Sequence, residues 1–187
     1  MKQIIFSITA CLFFTNTNAQ AVAAKNFTKT GKVYFSATSS MEKIEATTNK
    51  AMAVIDLTAG KMEVKLLVKS FHFEKALMEE HFNENYMESG KYPNATFVGD
   101  ITDAKSVNLT KDGTYKVNVK GKLTLHNMTK DVATTADIVV KGGAAISAKS
   151  DLTILVADYG IAIPGAVKDK VAKEAKLSID LGLQPLK

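Results

Sequence analysis

TYKVNVKGKLTLH, residues 114–126, alternates apolar and polar side chains with a period of two. Val117, Val119, Gly121, Leu123 and Leu125 fall on one face, and Lys116, Asn118, Lys120, Lys122 and Thr124 on the other. Successive side chains of an extended strand point to opposite sides, so this pattern gives one face to a core and the other to water. Strands of that kind belong to antiparallel sheets, because parallel ones are buried on both faces and read as unbroken apolar runs.

The same period extends in both directions. Met62, Val64, Leu66 and Val68 alternate with Lys61, Glu63, Lys65 and Lys69, with Leu67 as the exception. Val132, Thr134, Ala136, Ile138 and Val140 repeat the pattern, as do Leu177, Ile179, Leu181 and Leu183. Thr58-Ala59-Gly60, Asp112-Gly113 and Gly142-Gly143 are hairpin signals between them. About eight strands are expected, near 30–37, 44–57, 61–71, 95–102, 114–126, 130–141, 145–156 and 173–184. Eight antiparallel strands in a mature chain of this size favour an all-β, eight-stranded antiparallel barrel over a sandwich. Such a barrel is filled by side chains or holds one small ligand. Gly99, Gly121, Ala95 and Ala136 on its inner face would leave room.

One segment departs from the period. EKALMEEHFNENYMES, residues 74–89, has helical spacing, with Gly90 as a stop. Leu77, Met78, His81, Phe82, Asn85 and Tyr86 share one side; Glu79, Glu80, Asn83, Glu84 and Glu88 share the other. An amphipathic helix must lay its apolar side on something, and a barrel offers an open end or its outer wall. A second, short helix is conceivable near 165–173, against which Pro164 argues. The aromatic residues Phe71, Phe73, Phe82, Tyr86, Tyr92 and Phe97 crowd around the main helix. They read either as a small core beneath it or as the lining of a cavity mouth with the helix as lid.

The first twenty residues, MKQIIFSITACLFFTNTNAQ, combine a positive start at Lys2, an apolar run from Ile4 to Phe14 and a small residue at Ala19. This is the form of a secretory signal peptide, with cleavage after Ala19 and a mature domain of residues 20–187 in the periplasm. A rival reading takes Ile8-Thr9-Ala10-Cys11 as a lipoprotein-processing site, leaving an outer-membrane lipoprotein acylated on Cys11. No transmembrane span is expected in the mature chain. Removal of Cys11, the sequence's one cysteine, would leave neither disulfide nor thiol chemistry.

The formal charge is +5, and the basic residues are all lysines. Bidentate reading of phosphate and guanine relies on the arginine fork, so nucleic acid is not an expected partner. His72, His81 and His126 have no metal-site spacing. No Gly-x-Ser-x-Gly elbow or Gly-rich phosphate loop exists, and the Glu80, Glu84, Glu88 line reads as a solvated helix face. No catalytic residue, metal or cofactor is expected, and a hydrolase ranks last.

The run SFHFEKALMEEHFNENYMESGKYPNATF, residues 70–97, resembles the YceI-like family in the form common among Bacteroidetes. KVYFSATSSMEKIEATTNKAMAVIDLTAGK (32–61), GKLTLHNMTKDV (121–132) and DYGIAIPGAVKDKVAKEAKLSIDL (158–181) agree with it in the same order. The resemblance implies a lipocalin-like barrel with a helix near its opening, a polyisoprenoid chain in an elongated apolar interior, a periplasmic address and dimers. Phe71, Phe73, Leu77, Met78, Phe82, Tyr86, Phe97, Val117, Val119 and Leu123 are then the candidate channel residues. Many relatives carry arginines where this chain has Glu74-Lys75-Ala76 and in the strand before Asp158-Tyr159-Gly160. A diphosphate head would here depend on lysines or backbone N–H groups, and a quinone-like head becomes at least as suitable.

A prenyl tail suits such an interior. A buried methylene is worth about 0.8 kcal/mol, so an isoprene unit contributes roughly 3–4 kcal/mol before ordering costs. A few units approach the affinity ceiling of about −18 to −21 kcal/mol, so tunnel depth, not affinity, would select tail length. The alternative is a barrel filled by side chains that serves as a stress-related interaction module. A continuous apolar tunnel favours the lipid; a dry, filled barrel favours the module.

Overall fold

The computed structural model describes residues 24–38, 43–163 and 172–186. The expected leader, Cys11 and most of the second helix lie outside these residues. Eight long strands form a meander: β1 (Lys25–Thr38), β2 (Lys43–Asp56), β3 (Lys61–Leu67), β5 (Asn94–Ile101), β6 (Gly113–Leu125), β7 (Met128–Lys141), β8 (Ala144–Leu155) and β9 (Glu174–Gly182). Each pairs antiparallel with its sequence neighbour, and β1 pairs with both β2 and β9, which closes the barrel. Two short pieces are added: β4 (His72–Phe73) near the start of β2, and β10 (Gln184–Pro185) near the start of β1. The expected eight-stranded antiparallel barrel is the observed fold.

The period-two residues sit as their spacing requires. On β6, Val117, Val119 and Leu123 are buried while Lys116, Asn118, Lys120 and Lys122 are exposed. The outer face is laced by exposed cross-strand ion pairs such as Lys61–Asp100 and Lys149–Asp180, which contribute little individually. The β2–β3 turn is pinned by Asp56, whose Oδ1 accepts the Ala59 N–H at 2.9 Å. That bond, opposed by desolvation and aided by Lys25, holds the Asp56 carboxyl below its usual range.

Two local expectations need correction, and one turn carries no signal in the sequence reading. The strand expected over 61–71 stops at Leu67; the chain makes a 3-10 turn at Val68–Ser70 and re-pairs as β4. Ser70 fixes that turn, its hydroxyl lying 2.6 Å from the Leu67 carbonyl and 2.8 Å from the buried Thr48 hydroxyl. The helix expected over 74–89 is shorter: α1 spans Ala76–His81 and continues as a π-turn at Phe82–Tyr86. It ends before Gly90 because Asn83 captures the chain, its carbonyl accepting from Ser89 N and its side chain from Ser89 Oγ, both at 2.8 Å. Finally, β6 turns into β7 through His126-Asn127, both at positive φ (49° and 61°). That is the geometry of a two-residue I′ hairpin, formed here without glycine.

The barrel has a filled end and a hollow one. At the end where β2 turns into β3 and β7 into β8, Ile55, Val117, Ile138, Val140 and Ala145 are almost wholly buried in one contiguous core. Around the opposite end, where α1 lies, Val68, Met87, Leu123, Ile154, Tyr159, Ile161 and Ala175 form a second cluster. No helix among the described residues is long and apolar enough to cross a membrane.

Candidate functional site

Between the filled floor and the helix end lies a cavity of about 530 Å³, within the range of small-molecule sites. Its wall is apolar almost throughout and draws on all eight long strands. Val64 and Leu66 come from β3, Phe97 from β5, Val119, Leu123 and Leu125 from β6, and Leu177 and Ile179 from β9. On β6 alone the lining runs from Val119 to Leu125, roughly 20 Å of strand. The mouth is bordered by Lys75, Leu77, Met78 and His81 of the helical segment, with Phe82 and Tyr86 of the π-turn.

Phe82 ties the helix to the barrel. Its ring centroid lies 4.9 Å from that of Phe73, 5.7 Å from Phe35 and 5.9 Å from Phe71, in tilted and edge-on contacts. Glu79 adds a polar tie, accepting the Phe73 N–H at 3.1 Å, with His72 Nδ1 3.6 Å away. The aromatic cluster therefore unites the two expected readings: a packed group beneath the helix that also borders the cavity.

Eight of the ten candidate channel residues border the cavity: Phe71, Leu77, Met78, Phe82, Tyr86, Phe97, Val119 and Leu123. Two do not. Val117 lies one layer deeper, in the filled floor, at 1% exposure. Phe73 sits behind Phe82, beside an outer groove edged by Glu74, Glu79 and Glu80. Several lining residues went unnominated, among them Phe35, Ile154, Leu177 and Ile179. The alternation of β9 could have supplied Leu177 and Ile179; nothing local singles out Phe35.

The paired glycines also behave differently from expectation. Gly99 and Gly121 face each other across β5 and β6, but they do not leave open space. The Phe97 ring folds over them, so a Cβ at Gly99 would meet its Cζ at 2.5 Å. The glycines make a slot for an aromatic wall residue.

Polar groups near the site are few. His126 Nδ1 lies 3.1 Å from the Tyr159 carbonyl and its Nε2 3.4 Å from Glu88 Oε1, while the Tyr92 ring stands edge-on at 4.5 Å. These contacts join the β6–β7 turn to the helix exit and to the 3-10 turn Val156–Tyr159. The Tyr159 hydroxyl is buried without a hydrogen-bond partner among the described residues. Burial, with a smaller contribution from Asp158, pushes its phenol pKa up. No group of three or more His, Cys, Asp or Glu among the described residues could hold a metal.

Comparison with known proteins gives the same picture. A polyisoprenoid-binding domain from Saccharophagus degradans superposes with a TM-score of 0.71 at 15% identity, covering 88% of this chain and 99% of that one. BcnA of Burkholderia cenocepacia superposes with a TM-score of 0.63 at 21% identity, covering 82% and 94%. These likenesses establish the barrel. A UPF0312 protein of Vibrio cholerae is 28% identical over 117 residues, 59% of this chain and 58% of its own length. One from Pseudomonas fluorescens is 31% identical over 84 residues, 44% and 41% respectively. The matched segments thus span less than two thirds of these relatives. The YceI-like domain model matches residues 18–183, nearly the whole chain, and the protein belongs to the YceI-like domain family.

Proposed function

We propose that this protein is a non-catalytic carrier or store of an extended isoprenoid lipid, held in the barrel interior in the periplasm. The carrying observation is the apolar cavity that runs through several side-chain layers from the helix mouth to the filled floor. A flexible hydrocarbon gains by burial at every methylene and needs no directional partner. The Saccharophagus neighbour is named for polyisoprenoid binding, which supports the same ligand class here. Lys75 and His81 at the rim would lie beside a polar head, whether quinone-like or phosphorylated. The hollow half of the barrel argues against a wholly filled interaction module.

Native mass spectrometry of protein purified from its own host, without detergent, tests the reading. The expected result is a barrel carrying an apolar adduct that denaturation releases and that fragments in isoprene steps. A barrel recovered empty from every preparation would overturn it. The same spectra report whether the chain pairs with a second copy, as the family resemblance implies.

A further inference from the structure

The barrel wall is not equally closed all round. The ladders β1–β2, β3–β5, β6–β7 and β8–β9 run to the helix end, finishing at Thr38↔Lys43, Leu67↔Asn94, Leu125↔Met128 and Leu155↔Glu174. Two ladders stop short of that end: β2–β3 at Met52↔Lys65, where β4 takes up the edge of β2 at Thr47 and Ala46, and β7–β8 halfway, at Ala136↔Ser150, where no strand among the described residues does. Beyond Ala136↔Ser150, residues 128–135 of β7 and 151–155 of β8 have no β partner on their facing edges among the described residues.

Side chains finish both ends of this gap. At its base the Thr134 hydroxyl donates to the Asp151 carbonyl at 2.6 Å, and the Ser150 hydroxyl donates to the Thr135 carbonyl at 2.8 Å. At its top the Tyr159 carbonyl meets His126 Nδ1, and Gly160 lies against Met128. The two lips are apolar on the inside: Val132 on β7, with Leu152 and Ile154 on β8, border the cavity. Lys149, which is exposed beside the base of the gap, borders the same cavity. Strand edges within a sheet are normally paired or covered, because unpaired ones invite other strands and leave backbone groups to water.

We propose that the seam between β7 and β8 is a side entrance through which the isoprenoid chain enters and leaves the barrel. The proposal rests on the isoprenoid-carrier reading above. Passage at the helix end would require Phe82 to leave its three aromatic partners. Passage at the seam breaks no ladder, since the ladder is already absent there. A chain can slide in sideways along Val132, Leu152 and Ile154 with its polar head remaining outside.

The test ties the seam shut reversibly. Ala133→Cys and Thr153→Cys, both at exposed positions where a continued register would oppose them, are introduced with Cys11→Ser. They are joined by a bismaleimide containing a cleavable disulfide. A control pair, Glu63→Cys and Val98→Cys, spans the intact β3–β5 ladder. Uptake and release of a dansyl-labelled geranylgeranyl probe are followed by stopped-flow fluorescence, on the same molecules before and after reduction. The expected result is exchange slowed at least tenfold when the seam is tied and restored on reduction, with equilibrium occupancy unchanged and the control pair without effect. Exchange within twofold of the untied rate, in a barrel that still binds the probe, overturns the side entrance alone. An untied barrel that takes up no probe overturns the carrier reading and the entrance with it.

Discussion

The ring of Phe97 lies across Gly121 of the neighbouring strand, so close that a Cβ there would stand 2.8 Å from its Cζ. The same Cβ would also crowd the Gly99 backbone at 2.5 Å. Gly121→Ala should therefore destabilise the fold by about 1–3 kcal/mol, as overpacking does. Adding Phe97→Ala removes the ring but not the backbone crowding. Chemical denaturation of the two single variants and the double should give a combined cost below the sum; strict additivity would show that the ring and the glycine do not meet.

Phe82→Ala removes the ring shared by Phe35, Phe71 and Phe73. Half-buried beside a cavity, it should cost about 3 kcal/mol, the lower end for a large aromatic, and bound lipid should fall further than stability does. Glu84→Ala, at an exposed position on the same turn, should stay within about 0.5 kcal/mol. Denaturant midpoint and lipid per barrel, measured together, decide it: a Phe82→Ala barrel that keeps its full lipid would deny Phe82 any part in retention.

Tyr159→Phe deletes a buried hydroxyl that has no partner among the described residues, and should stabilise the fold by about 1 kcal/mol. The neutral phenol is the form the fold favours, so its folded pKa lies above the unfolded value of about 10. That contribution is fully present below pH 10 and is lost as pH rises through the folded pKa. Thermal melts from pH 8 to 11 should show the wild type losing stability faster than the variant. Parallel curves would mean that Tyr159 does not titrate in this range.

Export is checked by intact mass. Periplasmic protein should begin at Gln20; a diacylated chain beginning at Cys11 would establish the lipoprotein route instead.

The strands were legible because each buries one face, so Val117 and Lys116 had to alternate whatever their neighbours were. The closing pair β1–β9 was less so, since register between distant strands leaves no mark within either. The helix was legible in type but not in extent: Asn83 ends it through contacts with Ser89 that spacing does not reveal. Among site residues, those next to the helix were found by aromatic crowding. Phe35 was missed because it reaches the site from a distant strand, and Val117 was misplaced because period two gives a face but not a depth.

The meander has a consequence for how this chain is put together. Each long strand's partners are its neighbours in sequence, save where β9 meets β1, so hairpins can form locally and one late contact shuts the ring. At that closure the Leu186 N–H donates to the Lys25 carbonyl at 2.9 Å, which brings the first and last strands of the domain side by side. The domain should accept circular permutation: a short linker from 186 to 24, with new termini cut at Gly142-Gly143, keeps every ladder. Its refolding should then be limited by a different seam, with β7 and β8 becoming the last strands to meet.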